Sequence, residues 1–272
     1  MSRYHDTYRH AIDRPESFWA EQSHRIPWIT PPKTILDYDE HGHARWFVDG
    51  EMNTCHAALD YHVEQGRGQQ AAVLWDSPVT GQRRRLSYRE MRDEVAVFAG
   101  ALAGLGVSKG DRVVIYMPMV PEALVAMYAC ARLGAIHSVV FGGFAPHELA
   151  LRIDDAEPKV VIAASCGIEI DRVISYKPML DEALAQSQHQ PEACVILQRD
   201  QAIAKLGLET MTGRLWLLRQ SRLLACRSRR PTRCIYFTHL ALPASPKAWC
   251  VIMAATPWPF TIQWTSSTTW RL

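Results

Sequence analysis

Between residues 87 and 164 the apolar positions alternate between the spacing of a helix face and short unbroken runs. Ser87-Tyr-Arg-Glu90 has the form of a capping box, a hydroxyl to accept from the third amide of the helix and a carboxylate to reach back to the cap. Met91, Val95, Phe98, Ala99, Leu102 and Leu105 follow at helical spacing, and Gly106 suits a left-handed end. Lys109-Gly-Asp-Arg112 is turn sequence, and Val113-Val-Ile-Tyr116 predicts a short buried strand that Pro118 ends. Pro121 and Glu122 open a second helix, apolar at Leu124, Val125, Met127, Tyr128 and Leu133, which Gly134 closes. Residues 135–141 are strand-like until Gly142-Gly143 breaks the run. Residues 146–154 predict a short amphipathic helix, and 159–164 another buried strand. Strands alternating with helices over short links predict an α/β fold, a parallel sheet flanked by helices with right-handed crossovers. Ligands of such sheets lie at the carboxyl ends of the strands, here residues 117–120, 141–146 and 165–172.

Composition narrows the class. With 272 residues, 48% apolar and 21% charged, the chain can bury a sizeable core as one large or two small domains. It is too polar for a membrane bundle and too apolar for a disordered chain. No run of eighteen apolar residues is present, and the first ten residues carry Asp6 and no apolar stretch, so neither a span nor a signal peptide is expected. The seven cysteines never fall as C-x-x-C, which suits a reduced, cytoplasmic compartment and argues against a disulfide or zinc framework.

The formal charge of +2 hides a break. Residues 1–209 hold all 28 acids against 21 Lys and Arg; residues 210–272 hold nine Lys and Arg, no acid, and five of the nine tryptophans. A basic, Trp-bearing tail on a non-enzymatic α/β scaffold is one reading, with nucleic acid or an anionic membrane as partner. The other is that the tail was never selected as protein.

Generic motifs add little. Gly104-Leu-Gly-Val-Ser-Lys-Gly110 mimics a dinucleotide loop but has the wrong spacing and follows a helix. Arg83-Arg84-Arg85 could grip a phosphate or form a solvated turn before the helix. The eleven histidines form no metal-ligand spacing, and His137 is expected to be a satisfied strand residue. No G-x-S-x-G elbow occurs.

Several blocks do carry a family pattern: Glu16-Ser-Phe-Trp-Ala-Glu21, Ala44-Arg-Trp-Phe47, Asn53-Thr-Cys-His-Ala-Ala-Leu-Asp60, Lys109-Gly-Asp-Arg-Val113, Tyr116-Met-Pro-Met119, and the run ACARLGAIHSVVFGGF over residues 129–144. From about Tyr4 to about Asp200 the chain resembles the N-terminal part of AMP-forming acetyl- and propionyl-CoA synthetases. Gly167-Ile-Glu169, Arg172 and Tyr176-Lys177 look more like the propionyl-type branch. The resemblance implies part of the adenylate-forming fold and a two-step ligase. A short carboxylate, propionate or acetate, attacks the α-phosphorus of ATP with Mg²⁺ present, giving an acyl-adenylate and releasing pyrophosphate, and the thiol of CoA then displaces AMP. It also implies that Phe141, Gly142 and Gly143 lie near the CoA entrance and Arg172 near the CoA phosphates. Ile170-Asp171 depart from the Pro-Gly more usual there and put an acid beside that arginine. No catalytic and no metal-binding residue is carried over. The acyl pocket and the adenylation lysine belong to later parts of the family pattern.

The family's phosphate loop, roughly T-S-G-T-T-G-K-P-K-G, is absent from the sequence. Residues 237–250 account for it. Joining the third base of each codon to the first two of the next allows (Y/H)-T-S-G-T-T-G-K-P-K-G-V-V, with the Trp249/Cys250 junction forcing Val. The second base of each shifted codon is not free, so chance agreement over the whole run is small. Residues 1–212 are therefore expected to be the N-terminal part of a synthetase large domain. Residues 213–272 are expected to be an irregular, out-of-frame tail, with poor packing over about 215–272. The frame change falls near 209–216, within the limits 200–234. The chain alone is expected to lack activity, and a sheet edge should be left unpaired.

Overall fold

In the computed structural model, which describes residues 3–205 and the backbone of 214–218, one sheet of five parallel strands carries the architecture. Its strands are β5 (Arg112–Met117), β6 (Ile136–Phe141), β7 (Val160–Ala164), β10 (Ala193–Leu197) and β11 (Arg214–Leu218), in the spatial order β11-β10-β7-β5-β6. Four helices accompany it: α3 (Tyr88–Gly104), α4 (Pro121–Leu133), α5 (Pro146–Ala156) and α6 (Tyr176–Gln186). The path β5-α4-β6 steps one way along the sheet, and β6-α5-β7 and β7-α6-β10 step back. Right-handed crossovers therefore put α4 and α5 on opposite faces, in line with the packing of α3 on α4 and of α5 on α6. With both faces covered, β5 and β7 are almost wholly buried, as their unbroken apolar sequences require.

The expected boundaries are borne out where the local chemistry is strong. Ser87 Oγ accepts from the Glu90 amide at 3.2 Å, and Glu90 Oε2 accepts from the Ser87 amide at 2.8 Å. Gly106 (φ +85°) and Gly134 (φ +73°) adopt the left-handed conformation after α3 and α4. The four described cysteines, 55, 130, 166 and 194, are unpaired thiols.

The remaining described elements are smaller. Helices α1 (Arg3–Asp13) and α2 (Pro15–Ser23) belong to one compact unit with the residues up to 26. In the second unit β1 (Leu36–Tyr38) pairs with β2 (Ala44–Trp46), and two π-helical turns, His56–Asp60 and Val63–Arg67, follow. Asn53 joins these turns to the far end of α4: its Nδ2 donates to the carbonyls of Ala131 (3.0 Å) and Arg132 (3.3 Å). Arg132 in turn pairs with Asp60 at 2.5 Å.

One expectation is corrected. Arg83, Arg84 and Arg85 are not a turn but part of β4 (Gln82–Ser87), antiparallel to β3 (Ala71–Ser77). A hairpin with one packed face fixes the period at two, which three consecutive charges conceal in the sequence. Within the tail, the backbone of Arg214–Leu218 pairs in parallel with β10, and its Leu-Trp-Leu-Leu sequence suits an extended backbone. The rest of the tail lies outside the described residues. At the opposite side of the sheet, β6 has no strand beyond it among the described residues.

Candidate functional site

The carboxyl ends of β5, β6, β7 and β10 form one rim, at Met117, Phe141, Ala164 and Leu197. The loop after β5 is tied to the β3–β4 hairpin by Trp75 Nε1, which donates to the Met119 carbonyl at 2.8 Å, while the Met119 side chain is 80% exposed. The loop after β6 holds Gly142 and Gly143. After β7 the chain forms a second hairpin, β8 (Cys166–Glu169) and β9 (Arg172–Ser175), that leads into α6. Buried Ser165 joins three of these segments. Its amide donates to the Leu197 carbonyl (2.8 Å), its carbonyl accepts from the Tyr176 amide (3.0 Å), and its Oγ accepts from the Arg199 amide (2.9 Å).

Two tyrosines sit beneath the glycine pair. Tyr116, the penultimate residue of β5, is fully buried, and Tyr176, the first of α6, lies with its ring centroid 4.9 Å away. The Tyr116 hydroxyl accepts from the Gly143 amide at 3.3 Å and donates to the Phe144 carbonyl at 3.0 Å. Gly142 passes so close to β5 that a Cβ there would lie 2.9 Å from the Met117 carbonyl oxygen and 2.8 Å from Tyr176 Oη. Gly143 has φ +101°, open only to glycine at little cost, and a Cβ there would lie 3.0 Å from Glu169 Oε1. Gly167 lies against the Tyr176 ring with no room for a side chain. Burial, with Tyr116 and the Glu169 carboxylate nearby, pushes the Tyr176 phenol up to about 12; burial also raises that of Tyr116. Both phenols therefore stay protonated at neutral pH.

The structure brings the sequence-predicted positions to this rim. Phe141 is 60% exposed at the end of β6, with its ring 5.7 Å from that of Phe144. Gly142 and Gly143 lie between them. Arg172 is exposed on β9, directly opposite Glu169 in the ladder, and makes no hydrogen bond or ion pair among the described residues. Lys177 differs: both oxygens of Asp181 hold its Nζ at 2.6 Å. The arrangement thus offers an unpaired cation, two accessible aromatic rings and a backbone loop held from below. Sequence reasoning missed the parts played by Tyr116, Tyr176 and Glu169. All three stood in the family-like blocks, but a tyrosine in an apolar strand carries no mark of what its hydroxyl meets.

The generic phosphate candidates are occupied or misplaced. Arg83 pairs with Asp76 (2.8 Å), Arg84 bridges Glu94 (3.2 Å) and Glu122 (2.8 Å), and Arg85 donates to the Gln69 carbonyl (3.1 Å). The glycines of 104–110 lie at the amino end of the sheet, where the Gly110 amide donates to the Gly134 carbonyl. His137, half-buried in β6, makes no side-chain hydrogen bond among the described residues, and burial lowers its pKa. No group of three or more metal-ligating side chains occurs among the described residues. No helix among them is long and apolar enough to cross a membrane.

Comparison with known proteins gives a consistent result. The profile of the AMP-binding enzyme family matches residues 59–269, and that of the acetyl-coenzyme A synthetase N-terminus matches residues 4–58. An uncharacterised protein of Pseudomonas aeruginosa is 58% identical over 203 residues, 75% of this chain and 32% of that one. A propionate–CoA ligase of Escherichia coli is 44% identical over 204 residues, 75% of this chain and 32% of the ligase. Among solved structures, an acetoacetyl-CoA synthetase from Streptomyces lividans superposes with a TM-score of 0.64 at 23% identity, over 73% of this chain and 30% of that one; at that identity the likeness speaks for the fold. The chain spans about a third of the length of these curated relatives.

Proposed function

Since the chain belongs to the AMP-binding enzyme family, we propose that it carries the CoA-facing part of a short-chain acyl-CoA ligase, one that joins propionate or acetate to CoA through an acyl-adenylate made from ATP. The observation that carries this is the meeting of Phe141, Gly142, Gly143 and the unpaired Arg172 at one rim of the sheet, through Tyr176 and Glu169. Arg172 supplies charge for the phosphates of CoA, and the exposed rings of Phe141 and Phe144 supply apolar surface. The ligase named in Escherichia coli supports propionate as the acyl donor.

ATP and Mg²⁺ belong to the reaction of the whole family enzyme. Phosphate in such chemistry is stabilised by backbone amides, hydroxyls and a lysine in a glycine-rich loop, and the described residues contain no such loop. The tail from about residue 213 is read as out of frame, and the 272-residue chain alone as binding CoA without turning over. Purified protein is expected to release no pyrophosphate on addition of ATP and propionate. Release in proportion to enzyme and dependent on propionate overturns that reading. The nucleotide sequence across codons 200–250 tests the tail directly: codons unable to spell the glycine–lysine loop when shifted by a base defeat the out-of-frame account.

A further inference from the structure

We propose that Tyr116 is a positioning residue, whose buried hydroxyl holds the backbone at 142–144 in the form that takes CoA. The inference rests on the reading of that loop given above. Tyr116 lies one strand away from the loop and is fully enclosed. Its hydroxyl has one proton, which goes to the Phe144 carbonyl at 3.0 Å; a lone pair takes the Gly143 amide at 3.3 Å. With that proton committed, the Met179 sulfur at 3.8 Å is a packing neighbour.

The two bonds straddle Gly143, the residue with φ +101° and the freest backbone in the loop. Among the described residues, the other tie within the segment is the turn from the Phe144 amide to the Phe141 carbonyl at 3.2 Å. Removing the hydroxyl leaves an amide and a carbonyl without protein partners and lets the loop turn about its glycines, carrying Phe141 and Phe144 with it. Tyr176 does different work. Its hydroxyl packs against Gly142 and Gly167 but makes no hydrogen bond among the described residues, so it supplies shape, while Tyr116 supplies direction.

The test uses the full chain, the substitution Tyr116→Phe, and Tyr128→Phe as a reference that removes a half-buried phenol from α4, away from the loop. Three quantities are read: CoA affinity by calorimetric titration, exchange of the Gly143 amide by NMR, and exchange of the β7 amides. Loss of a neutral hydrogen-bond pair predicts that Tyr116→Phe weakens CoA about three- to tenfold and speeds Gly143 exchange by at least as much, with β7 protection kept. Tyr128→Phe should change none of the three. Unaltered CoA affinity in Tyr116→Phe beside a wild type that binds overturns the proposal. So does protection lost equally across β7, which marks a structural role, or an equal loss of affinity in Tyr128→Phe. A wild type that fails to bind CoA defeats the reading of the loop itself, and the proposal with it.

Discussion

At Gly142 and Gly167 a single methyl group measures how tightly the rim is packed. In Gly142→Ala the new carbon meets a backbone carbonyl, which cannot swing aside; in Gly167→Ala it meets the Tyr176 ring itself. Overpacking of this kind costs about 1–3 kcal/mol, so the urea midpoint should fall for both, more for Gly167→Ala. The same change at Gly100, inside α3 with open space around it, should raise stability by about 0.5–1 kcal/mol through helix propensity and a less flexible unfolded chain, seen as a higher urea midpoint. A second residue-scale effect is set by pH. His62 is buried, stacks on Tyr88 at 4.4 Å and accepts from Arg67 Nε at 3.0 Å. Burial first, and then the Arg67 charge, lower its pKa below the ordinary histidine value of 6.5. Between the lowered pKa and the ordinary one, the unfolded chain binds the proton and the folded chain does not. His62 therefore leaves stability intact above pH 6.5 and subtracts from it as the pH falls toward the folded-state pKa. Denaturation at pH 7.5 and 5.5 should show that loss, and His62→Phe, which keeps the stacking, should lessen it; an identical loss in the variant refutes the assignment.

Among the elements, the hairpin of β8 and β9 carries a defect of its own making. Its turn sets Ile170 at φ +56° with the side chain 90% exposed. A β-branched residue in the left-handed region costs about 1–2 kcal/mol and here gains no burial in return. Ile170→Asn should raise stability by about 0.5–1 kcal/mol, read as a shift in the urea midpoint, and an unchanged midpoint would show that the turn is not strained. The same residues explain why this hairpin was not legible in the sequence. Ile170-Asp171 has none of the glycine or asparagine that announces a two-residue turn. By contrast, α3 and α4 could be drawn almost to the residue, because Ser87, Glu90, Pro121, Gly106 and Gly134 satisfy helix ends by local rules. The β3–β4 hairpin fell between these cases: its turn contains Gly81 at φ +66°, but Arg83, Arg84 and Arg85 hide the alternation.

On the scale of the molecule, β6 ends the sheet among the described residues. The strand is Ile-His-Ser-Val-Val-Phe, without a charge or a proline, and Ile136 and Val139 are each 50% exposed. Such an edge invites pairing with another chain. Light scattering should show self-association that grows with concentration, and Val139→Lys should suppress it; association unaffected by the lysine would place the contact elsewhere. The rim was legible at this scale because parallel topology alone directs attention to strand ends. What holds the rim was not, since Tyr116 and Gly143 are 27 residues apart in the chain and their bond exists only once β5 and β6 have paired. The strand order has one more consequence. β5 and β6 are made first and lie side by side; β7 then joins the free side of β5, β10 the free side of β7, and β11 that of β10. Each strand emerging from the ribosome meets a bare flank already formed upstream, so the nascent sheet can lengthen by accretion in the order of translation, without being prised open to admit a latecomer.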